Sequence, residues 1–354
     1  YYPYMQYFFI LGRNPALSLA ELHAVLGEFT VAQKGNEWIT IEHKEPLDIP
    51  ALVRSMGGVV KAGKIIKEDS FIEVLKSIAQ KHKVHFGFSF YSKPKELIPK
   101  EFALSIKKQL KEQGISSRWV ESKEQVLSSI IVQKNHLLDS GAEFVFLPGN
   151  LLGHTLAVPD IESFGEREFG KPQRSINEGM LPVQLARVMI NLARAKPDAT
   201  MLDPFCGSGT VLMEALSMGY TNVMGTDISE EAVTRAKENV AWMGKEAKIM
   251  PCNVRKLSTT NIQVDAIVTE PSLGPLQLPF NSKTQMNVII RDLANLYVAA
   301  FQEFAKILTP GGRVVFIFPA FQGKLEALKT SEHVLPLLAA LGFQPVPTFP
   351  DPTI

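Results

Sequence analysis

The second half of the chain alternates between short apolar runs and longer amphipathic stretches, and this alternation restricts the possible folds more than any other feature. Strands are predicted at Ala199–Leu202, Asn222–Thr226, Lys248–Cys252, Asp265–Thr269 and Arg313–Phe318. Helices are predicted near Val211–Ser217, Glu230–Trp242, Val288–Leu308 and Lys324–Leu341. Because neighbouring parallel strands need a crossover connection, usually a helix, this order predicts an α/β domain with a parallel sheet and helices on both faces.

A glycine-containing string, Asp203-Pro204-Phe205-Cys206-Gly207-Ser208-Gly209-Thr210, lies between the first of these strands and its helix. Its two glycines permit a tight turn and let a ligand approach the backbone at the carboxyl edge of the sheet. The Asp203 carboxylate suits the zwitterionic methionine of S-adenosylmethionine and disfavours a pyrophosphate. We therefore predict that Asp203, Phe205, Gly207 and Gly209 bind this cofactor; a nicotinamide site or a turn without a ligand are the alternatives.

Two polar residues follow the next two strands. Asp227 ends the second strand, where a carboxylate can accept hydrogen bonds from both ribose hydroxyls, although dinucleotide-binding enzymes share this feature. Asn253 follows the third strand, where its amide can either read the adenine amino group or cap a turn. Both are predicted to bind the cofactor.

The fourth strand ends in Thr269-Glu270-Pro271-Ser272-Leu273-Gly274. An aromatic amine is a poor nucleophile because its lone pair is delocalised into the ring. A carboxylate or carbonyl that accepts its N–H bonds favours tetrahedral geometry at nitrogen, and the base can be held in line with the methyl group. Glu270 and the Pro271 carbonyl are the predicted catalytic groups; an exposed Glu in a turn is the alternative.

The first half has the features of a separate α/β region. The predicted elements are a strand at Gln6–Gly12, a helix opened by a Ser18/Glu21 capping box, a hairpin of Phe29–Gln33 with Trp38–Glu42, and a half-buried strand at Val84–Tyr91. A helix from Pro99 to Gly114, a strand at Val126–Val132, a short helix at Asn135–Leu138 and a strand at Glu143–Leu147 follow. Residues 1–69 and 70–150 are interpreted as two modules, 151–176 as a linker with a few ordered turns, and 177–354 as the α/β domain.

Charge is unevenly distributed between the two halves. Residues 61–135 hold 15 Lys and Arg against 8 Asp and Glu, whereas the whole chain has a net charge of +1. This excess predicts that the module at 70–150 holds a polyanion, although a lysine-rich solvated helix face gives the same pattern. The candidate phosphate contacts are Lys93, Lys95, Lys107, Lys108, Arg118 and Lys134.

The remaining composition bears on cellular context. The two cysteines, Cys206 and Cys252, cannot form a disulfide framework or a metal site, which favours a reducing cytoplasm and no metal. No apolar run approaches the roughly 20 residues of a membrane-spanning helix, so no membrane association is expected.

Several motifs together resemble one family. Asp203–Thr210 with Glu270–Gly274 is similar to the amino-methyltransferases. Leu11–Pro15, Phe88–Tyr91, Val132–Asn135 and Gly179–Ala193 resemble segments of the THUMP-domain tRNA (guanosine-10 N2)-methyltransferases. This resemblance covers most of the chain, and the string at 203–210 is its most specific part.

The resemblance implies a class I, Rossmann-like methyltransferase domain preceded by a ferredoxin-like segment and a THUMP-like module that binds tRNA. It implies transfer of a methyl group from S-adenosylmethionine to guanine N2. This chain departs from the family in having Glu270 for the usual Asp, and Ser272 and Leu273 where an aromatic residue stacks on the flipped base. Phe280 is a candidate substitute for that stacking residue. Only ten residues follow Gln344, so we expect the sheet to end without the usual last antiparallel strand.

Three hypotheses remain open at this point. The favoured one is an active tRNA guanine-N2 methyltransferase. The others are a methyltransferase of rRNA or DNA, which would not need the module at 70–150, and an RNA-binding protein with impaired catalysis, which the altered motif at 270–274 supports. Some relatives use a small activating subunit, and the sequence does not decide whether this chain does.

Overall fold

A computed structural model of the chain describes residues 5–67, 70–79, 83–91, 99–174, 179–275, 283–322 and 327–347. The chain divides into two compact units, residues 1–162 and residues 163–354. No helix within the described ranges combines the length and apolar content needed to span a lipid bilayer.

The first unit is built on a mixed eight-stranded sheet with the strand order β2-β3-β1-β4-β8-β7-β5-β6. The strands are β1 (Met5–Leu11), β2 (Thr30–Lys34), β3 (Trp38–His43), β4 (Val59–Ile66), β5 (Val84–Phe90), β6 (Ser117–Val120), β7 (Gly141–Leu147) and β8 (Leu151–Ala157). The helices are α1 (Pro15–Leu26), α2 (Ile49–Ser55), α3 (Phe71–Ile78), α4 (Pro99–Glu112) and α5 (Ser129–Lys134). The predicted hairpin is confirmed, since β2 and β3 pair antiparallel.

The two predicted modules of the first half share this one sheet. Strand β4, from residues before position 69, pairs antiparallel with β8. Strand β8 in turn pairs with β7, and both β8 and helix α6 (Ile161–Gly165) fall inside the predicted linker. The structure therefore differs from the predicted boundaries at 69 and 150, because β4 and β8 join the two modules into a single sheet.

Helix α1 begins earlier than its predicted capping box. Asn14 caps it by accepting the Leu17 amide at 3.1 Å, and Pro15 occupies the first turn. Ser18 and Glu21 lie buried within the helix, where Glu21 accepts the amides of Gly57 and Gly58. The capping-box prediction was wrong because Glu21 serves a distant loop rather than its own helix terminus.

Two further local predictions in the first unit were wrong. Residues 129–134 form helix α5 rather than the end of a strand, because Ser128 caps a helical turn through the Ile131 amide, and the predicted short helix after Asn135 is a turn. Strand β5 is buried along most of its length rather than half-buried. Leu127 and Leu137 lie against Gly87 on its second face.

A polar network is enclosed in the core of the first unit. Lys61 and Glu143 are both 0% exposed, and the Lys61 ammonium donates to a Glu143 carboxylate oxygen at 2.5 Å. Ser89 and Thr155 hydroxyls also donate to the two oxygens of Glu143, and the Lys61 ammonium donates to the Leu127 carbonyl. Each charge of this pair is thus matched inside the unit.

The second unit contains the predicted parallel sheet, whose five described strands have the order β11-β10-β9-β12-β13 and are all parallel. They are β9 (Thr200–Asp203), β10 (Asn222–Asp227), β11 (Lys248–Pro251), β12 (Val264–Thr269) and β13 (Leu308–Phe316). Strands β14 (Ala320–Gln322) and β15 (Ala327–Lys329) form a separate two-stranded sheet. The sheet confirms the strand–helix alternation read from the sequence.

Helices cover both faces of the parallel sheet. They are α7 (Val183–Ala193), α8 (Thr210–Ser217), α9 (Glu230–Trp242), α10 (Lys283–Ile307) and α11 (Thr330–Leu338). Alternate residues of the strands feed two cores: Met201 packs with α7, α8 and α9, whereas its neighbour Leu202 packs with α10 and α11. This alternation follows from the opposite directions of successive side chains in a strand.

Candidate active site

A cavity of about 960 Å³ lies at the carboxyl ends of β9, β10, β11 and β12. This edge of an open parallel sheet is where ligands bind in such folds. Of the residues predicted from the sequence, the cavity is lined by Asp203, Phe205, Gly207, Asp227, Asn253, Glu270 and Pro271. The structure therefore brings the predicted cofactor and acceptor groups into one space.

The loop after β9 is shaped by two glycines with different roles. Gly207 lines the cavity with φ of +49°, and its amide donates to the Asp227 carboxylate at 3.0 Å. Gly209 has φ of +85° but is absent from the cavity lining, and a Cβ atom there would lie 3.2 Å from that of Ala236 in α9. Gly209 thus permits close packing of the loop on a helix, contrary to its predicted position against the ligand.

Asp203 is a buried carboxylate with neutral hydrogen-bond donors. One carboxylate oxygen accepts the Thr269 hydroxyl at 2.6 Å and the Phe205 amide at 3.1 Å. Burial, together with the nearby carboxylates of Asp227 and Glu270, raises the pKa of Asp203 to about 7 despite these hydrogen bonds. A cationic ligand would relieve this unfavourable environment for the charged form.

Asp227 is held at the end of β10 by backbone amides. Its two oxygens accept the Gly207 amide and the Ser229 amide, each at 3.0 Å. Next to it, Ile228 lines the cavity with 71% of its surface exposed. An acidic group beside an exposed apolar side chain suits a sugar hydroxyl pair attached to a flat, weakly polar ring.

Asn253 lines the cavity and also caps a short 3-10 helix, Val254–Thr260. Its side-chain oxygen accepts the Arg255 amide at 3.0 Å. The capping interaction, which is the alternative role for Asn253, is therefore present. The side-chain nitrogen of Asn253 is the group that would contact adenine if this residue also binds the cofactor.

The acceptor side of the cavity is the turn after β12. Glu270 is half-buried, and burial raises its pKa above the ordinary value for a glutamate. The Ser272 carbonyl accepts the hydroxyl of Tyr297, a fully buried residue of α10, at 2.6 Å. Tyr297 thereby fixes the turn that carries Glu270 and Pro271. Phe280, the predicted stacking residue, lies outside the described residues.

Some site residues were not predicted from the sequence. Ile228 and the segment Gly179–Leu181 line the cavity, whereas Thr269 and Tyr297 hold lining residues in place through their hydrogen bonds to Asp203 and Ser272. Thr269 and Ile228 each adjoin a predicted residue at a strand end, so position alone could have suggested them. Tyr297 contacts a residue 25 positions away, and no local pattern reports such a contact.

The basic candidates of the first unit are solvent-exposed where the structure describes them. Lys107 and Lys108 lie on the exposed side of α4, while Arg118 and Lys134 are exposed on β6 and α5. Lys93 and Lys95 lie outside the described residues. Exposure leaves the four described cations available to a polyanion.

Two family models match the chain. One describes a UPF0020, RMKL-like methyltransferase domain and matches residues 172–334, within the second unit. The other describes a DNA methylase and matches residues 52–238. Both matches include the string at residues 203–210, which is thus part of a methyltransferase domain.

Three curated relatives match shorter segments. A tRNA (guanine(10)-N2)-dimethyltransferase of Methanothermobacter thermautotrophicus is 35% identical over 35% of this chain and 36% of its own length. A tRNA (guanine(6)-N2)-methyltransferase of Thermus thermophilus is 31% identical, over 41% of each chain. A U6 snRNA (guanine-N(2))-methyltransferase, THUMPD2 of Bos taurus, is 29% identical over 38% of this chain and 24% of its own.

The matched segments therefore span about two fifths or less of these relatives. Both models and all three relatives are described as methylases or methyltransferases. The chain belongs to the DNA methylase family whose model matches residues 52–238, more than half of the chain, and its residues 172–334 match the UPF0020, RMKL-like methyltransferase domain.

Proposed function

We propose that the chain transfers the methyl group of S-adenosylmethionine, the cofactor of its methyltransferase domain, to the exocyclic N2 amino group of a guanosine in tRNA. One observation carries the proposal: two carboxylates with different surroundings, Asp203 and Glu270, line the same cavity from the ends of adjacent strands. One is suited to a cationic cofactor and the other to a neutral amine.

The cofactor side fits S-adenosylmethionine group by group. The buried Asp203 carboxylate has no cationic partner among the described residues and would accept hydrogen bonds from the ammonium of the methionine moiety. Asp227 would accept the ribose hydroxyls, and the exposed Ile228 side chain would pack against the adenine ring.

The acceptor side fits an aromatic amine. Glu270 and the Pro271 carbonyl would accept the two N–H bonds of the amino group, which directs the nitrogen lone pair at the methyl group. Because Glu270 is half-buried, its carboxylate is only partly hydrated, and hydrogen bonds from the substrate amine would replace the missing hydration. The Tyr297 hydrogen bond to Ser272 keeps this turn in place before the substrate arrives, so little reorganisation is needed during the reaction.

Guanine N2 is the atom that the relatives' names share, whereas their RNA varies among two tRNA positions and U6 snRNA. The choice of tRNA, at position 10, rests on the first half of the chain, which resembles a ferredoxin-like segment followed by a THUMP-like module. Its exposed cations Lys107, Lys108, Arg118 and Lys134 would contact backbone phosphates, which gives affinity without sequence specificity.

The test is incubation of unmodified tRNA transcripts with the full chain and labelled S-adenosylmethionine, followed by nucleoside analysis. We expect label in N2-methylguanosine or N2,N2-dimethylguanosine. Label in a methylated adenosine would instead assign an adenine acceptor. Binding of both ligands without any transfer would favour the catalytically impaired alternative, which Ser272 and Leu273 support by replacing the usual stacking residue.

A further inference from the structure

The second unit contains a buried lysine, Lys171, that is not among the proposed cofactor and catalytic groups. Lys171 lies in the segment between α6 and α7 and is 3% exposed. Its ammonium donates to the hydroxyl oxygen of Thr210 at 3.0 Å. Within the described part of the chain, Lys171 forms no ion pair, which is an unusual situation for a buried cation.

The nearest acidic groups are already engaged by other partners. Glu214, on α8, forms ion pairs with Arg167 and Arg187 and is 0% exposed. Glu168 accepts the Val183 amide at the start of α7. Burial lowers the pKa of Lys171, and the fields of Glu168 and Glu214 only partly oppose that shift. The positive charge of Lys171 is therefore left without a matched anion.

Thr210 connects this charge to the cavity. It is the first residue of α8, it is largely buried, and it lines the cavity that Lys171 itself does not reach. Because its oxygen accepts a hydrogen bond from the Lys171 ammonium, its hydroxyl hydrogen is left available for a further acceptor. Within the described residues no hydrogen bond from that hydroxyl is formed.

The charges that line the cavity are all negative in its described part, so a bound anionic group would need a positive charge from elsewhere. Its described lining contains the carboxylates of Asp203, Asp227 and Glu270 and no Lys, Arg or His side chain. The methionine moiety of S-adenosylmethionine carries a carboxylate as well as an ammonium. Three acidic groups would repel that carboxylate unless a positive charge lies close behind the wall.

We propose that Thr210 and Lys171 form the subsite for the cofactor carboxylate, in which Thr210 donates its hydroxyl to the carboxylate and Lys171 acts as a positioning residue behind it. This inference rests on the proposed function, because it assumes S-adenosylmethionine as the ligand. Asp203 then binds the ammonium of the methionine moiety, and Lys171 stabilises its carboxylate from behind Thr210.

The segment that carries Lys171 is tied to the cofactor loop. The Asn239 side chain, 0% exposed on α9, donates to the carbonyls of Ser208 and Gln173 and accepts the Gln173 amide, each at 2.9 Å. One amide side chain thus joins residue 173 to the loop at residue 208. This connection holds Lys171 in register with Thr210.

The test compares two ligands that differ by one carboxylate. Dissociation constants of S-adenosylmethionine and decarboxylated S-adenosylmethionine are measured by calorimetry for the full chain, for Lys171→Met and for Lys237→Met, an exposed control on α9. We expect Lys171→Met to weaken binding of S-adenosylmethionine by about tenfold or more, because the cofactor carboxylate would then face three acidic groups without the positive charge behind Thr210. Binding of the decarboxylated ligand should change less than about twofold, and the control should leave both constants unchanged.

An equal loss for both ligands in Lys171→Met would show a structural role and overturn the inference, and so would no loss for either. If Lys171→Met does not fold, Thr210→Val removes the hydroxyl with little change of shape, and it should show the same selective loss while Thr210→Ser restores binding. Equal affinity of Thr210→Val and wild type for S-adenosylmethionine would also overturn it. If the variants show this selective loss but the wild-type chain methylates no RNA, the proposed function is contradicted while the carboxylate subsite is retained.

Discussion

Each unit buries a carboxylate, and the two carboxylates have different partners. Glu143, in the core of the first unit, receives hydrogen bonds from the ammonium of Lys61 and from the hydroxyls of Ser89 and Thr155. Asp203, at the edge of the second sheet, receives only an amide and a hydroxyl in the described structure, and two other carboxylates lie near it. The first is neutralised by the fold itself, and the second is not.

This difference separates structural from ligand-binding use of a buried charge. Burial of a charge is costly unless an opposite charge and hydrogen bonds accompany it. Glu143 meets that condition without a ligand, so its removal should affect folding. Asp203 does not meet it, so its removal should affect binding of a cation while it costs the free protein little.

The largest effect on stability is expected from Glu143→Gln. It leaves the Lys61 ammonium buried without an anion, which should lower the free energy of unfolding of the first unit by about 3–5 kcal/mol. Asp203→Asn should change the unfolding of the second unit by much less. Chemical denaturation followed by hydrogen exchange in β7 and β9 measures both. Comparable losses in the two variants would remove the distinction between the two sites.

The next largest effect is expected on catalysis, in Glu270→Gln. The amide retains the shape of the side chain but is a poorer acceptor, so the single-turnover rate should fall by on the order of 10²–10³. Binding of cofactor and tRNA should stay nearly intact, and Glu270→Asp should also be slower because its shorter side chain reaches less far. Glu246→Gln, an exposed change in the same unit, is the control. An unchanged rate in Glu270→Gln would mean that another group accepts the amine.

The pH dependence of cofactor affinity sharpens the comparison at Asp203. Its pKa of about 7 in the free protein means that the carboxyl is partly protonated at neutral pH. A bound ammonium favours the charged form and lowers this pKa. Affinity contributed by Asp203 is therefore fully present above about pH 8 and should fall by up to about tenfold per pH unit below 7.

Calorimetry between pH 6 and pH 8 measures this dependence, with Asp203→Asn as the reference because the cofactor's own titration is the same in both proteins. The ratio of the two affinities should decrease as the pH falls. A ratio that does not change with pH would show that Asp203 does not contact the cofactor ammonium.

The smallest effect is expected from charges on the first unit. Replacement of Lys107 and Lys108 by Gln should weaken tRNA binding modestly. It should also reduce the slope of log affinity against log salt concentration by the amount expected for the loss of about two phosphate contacts. Lys237→Gln with Lys245→Gln is a matched exposed pair on the second unit. Equal salt slopes for both double variants would remove the reason to place RNA contacts on α4.

The parts of the site that the sequence predicted are those set by local rules. Asp203, Asp227 and Glu270 line one cavity, as predicted, because each ends or directly follows a strand and the carboxyl ends of parallel strands share one edge. Thr269 lies 66 residues from its partner Asp203, and Tyr297 lies 25 residues from its partner Ser272. Such contacts depend on packing between elements, which periodicity does not report.

The same reason explains the errors in the first unit. Strand β4 contains Lys61 and Lys64 within an apolar run, so its sequence pattern does not predict a buried strand. Lys61 becomes acceptable in the core only because Glu143, 82 residues away, lies beside it. Lys171 was part of a segment interpreted as a linker, and its burial depends on its contact with Thr210 of α8.

The most direct test of the proposed function changes one amino group of the substrate. A tRNA transcript that methylates under single-turnover conditions is compared with one in which the modified guanosine is replaced by inosine, which lacks only the N2 amino group. We expect rapid transfer to the first transcript and none to the second, with similar affinity for both. Transfer to the inosine transcript at an undiminished rate would place the methyl group on another atom and contradict the assignment of guanine N2.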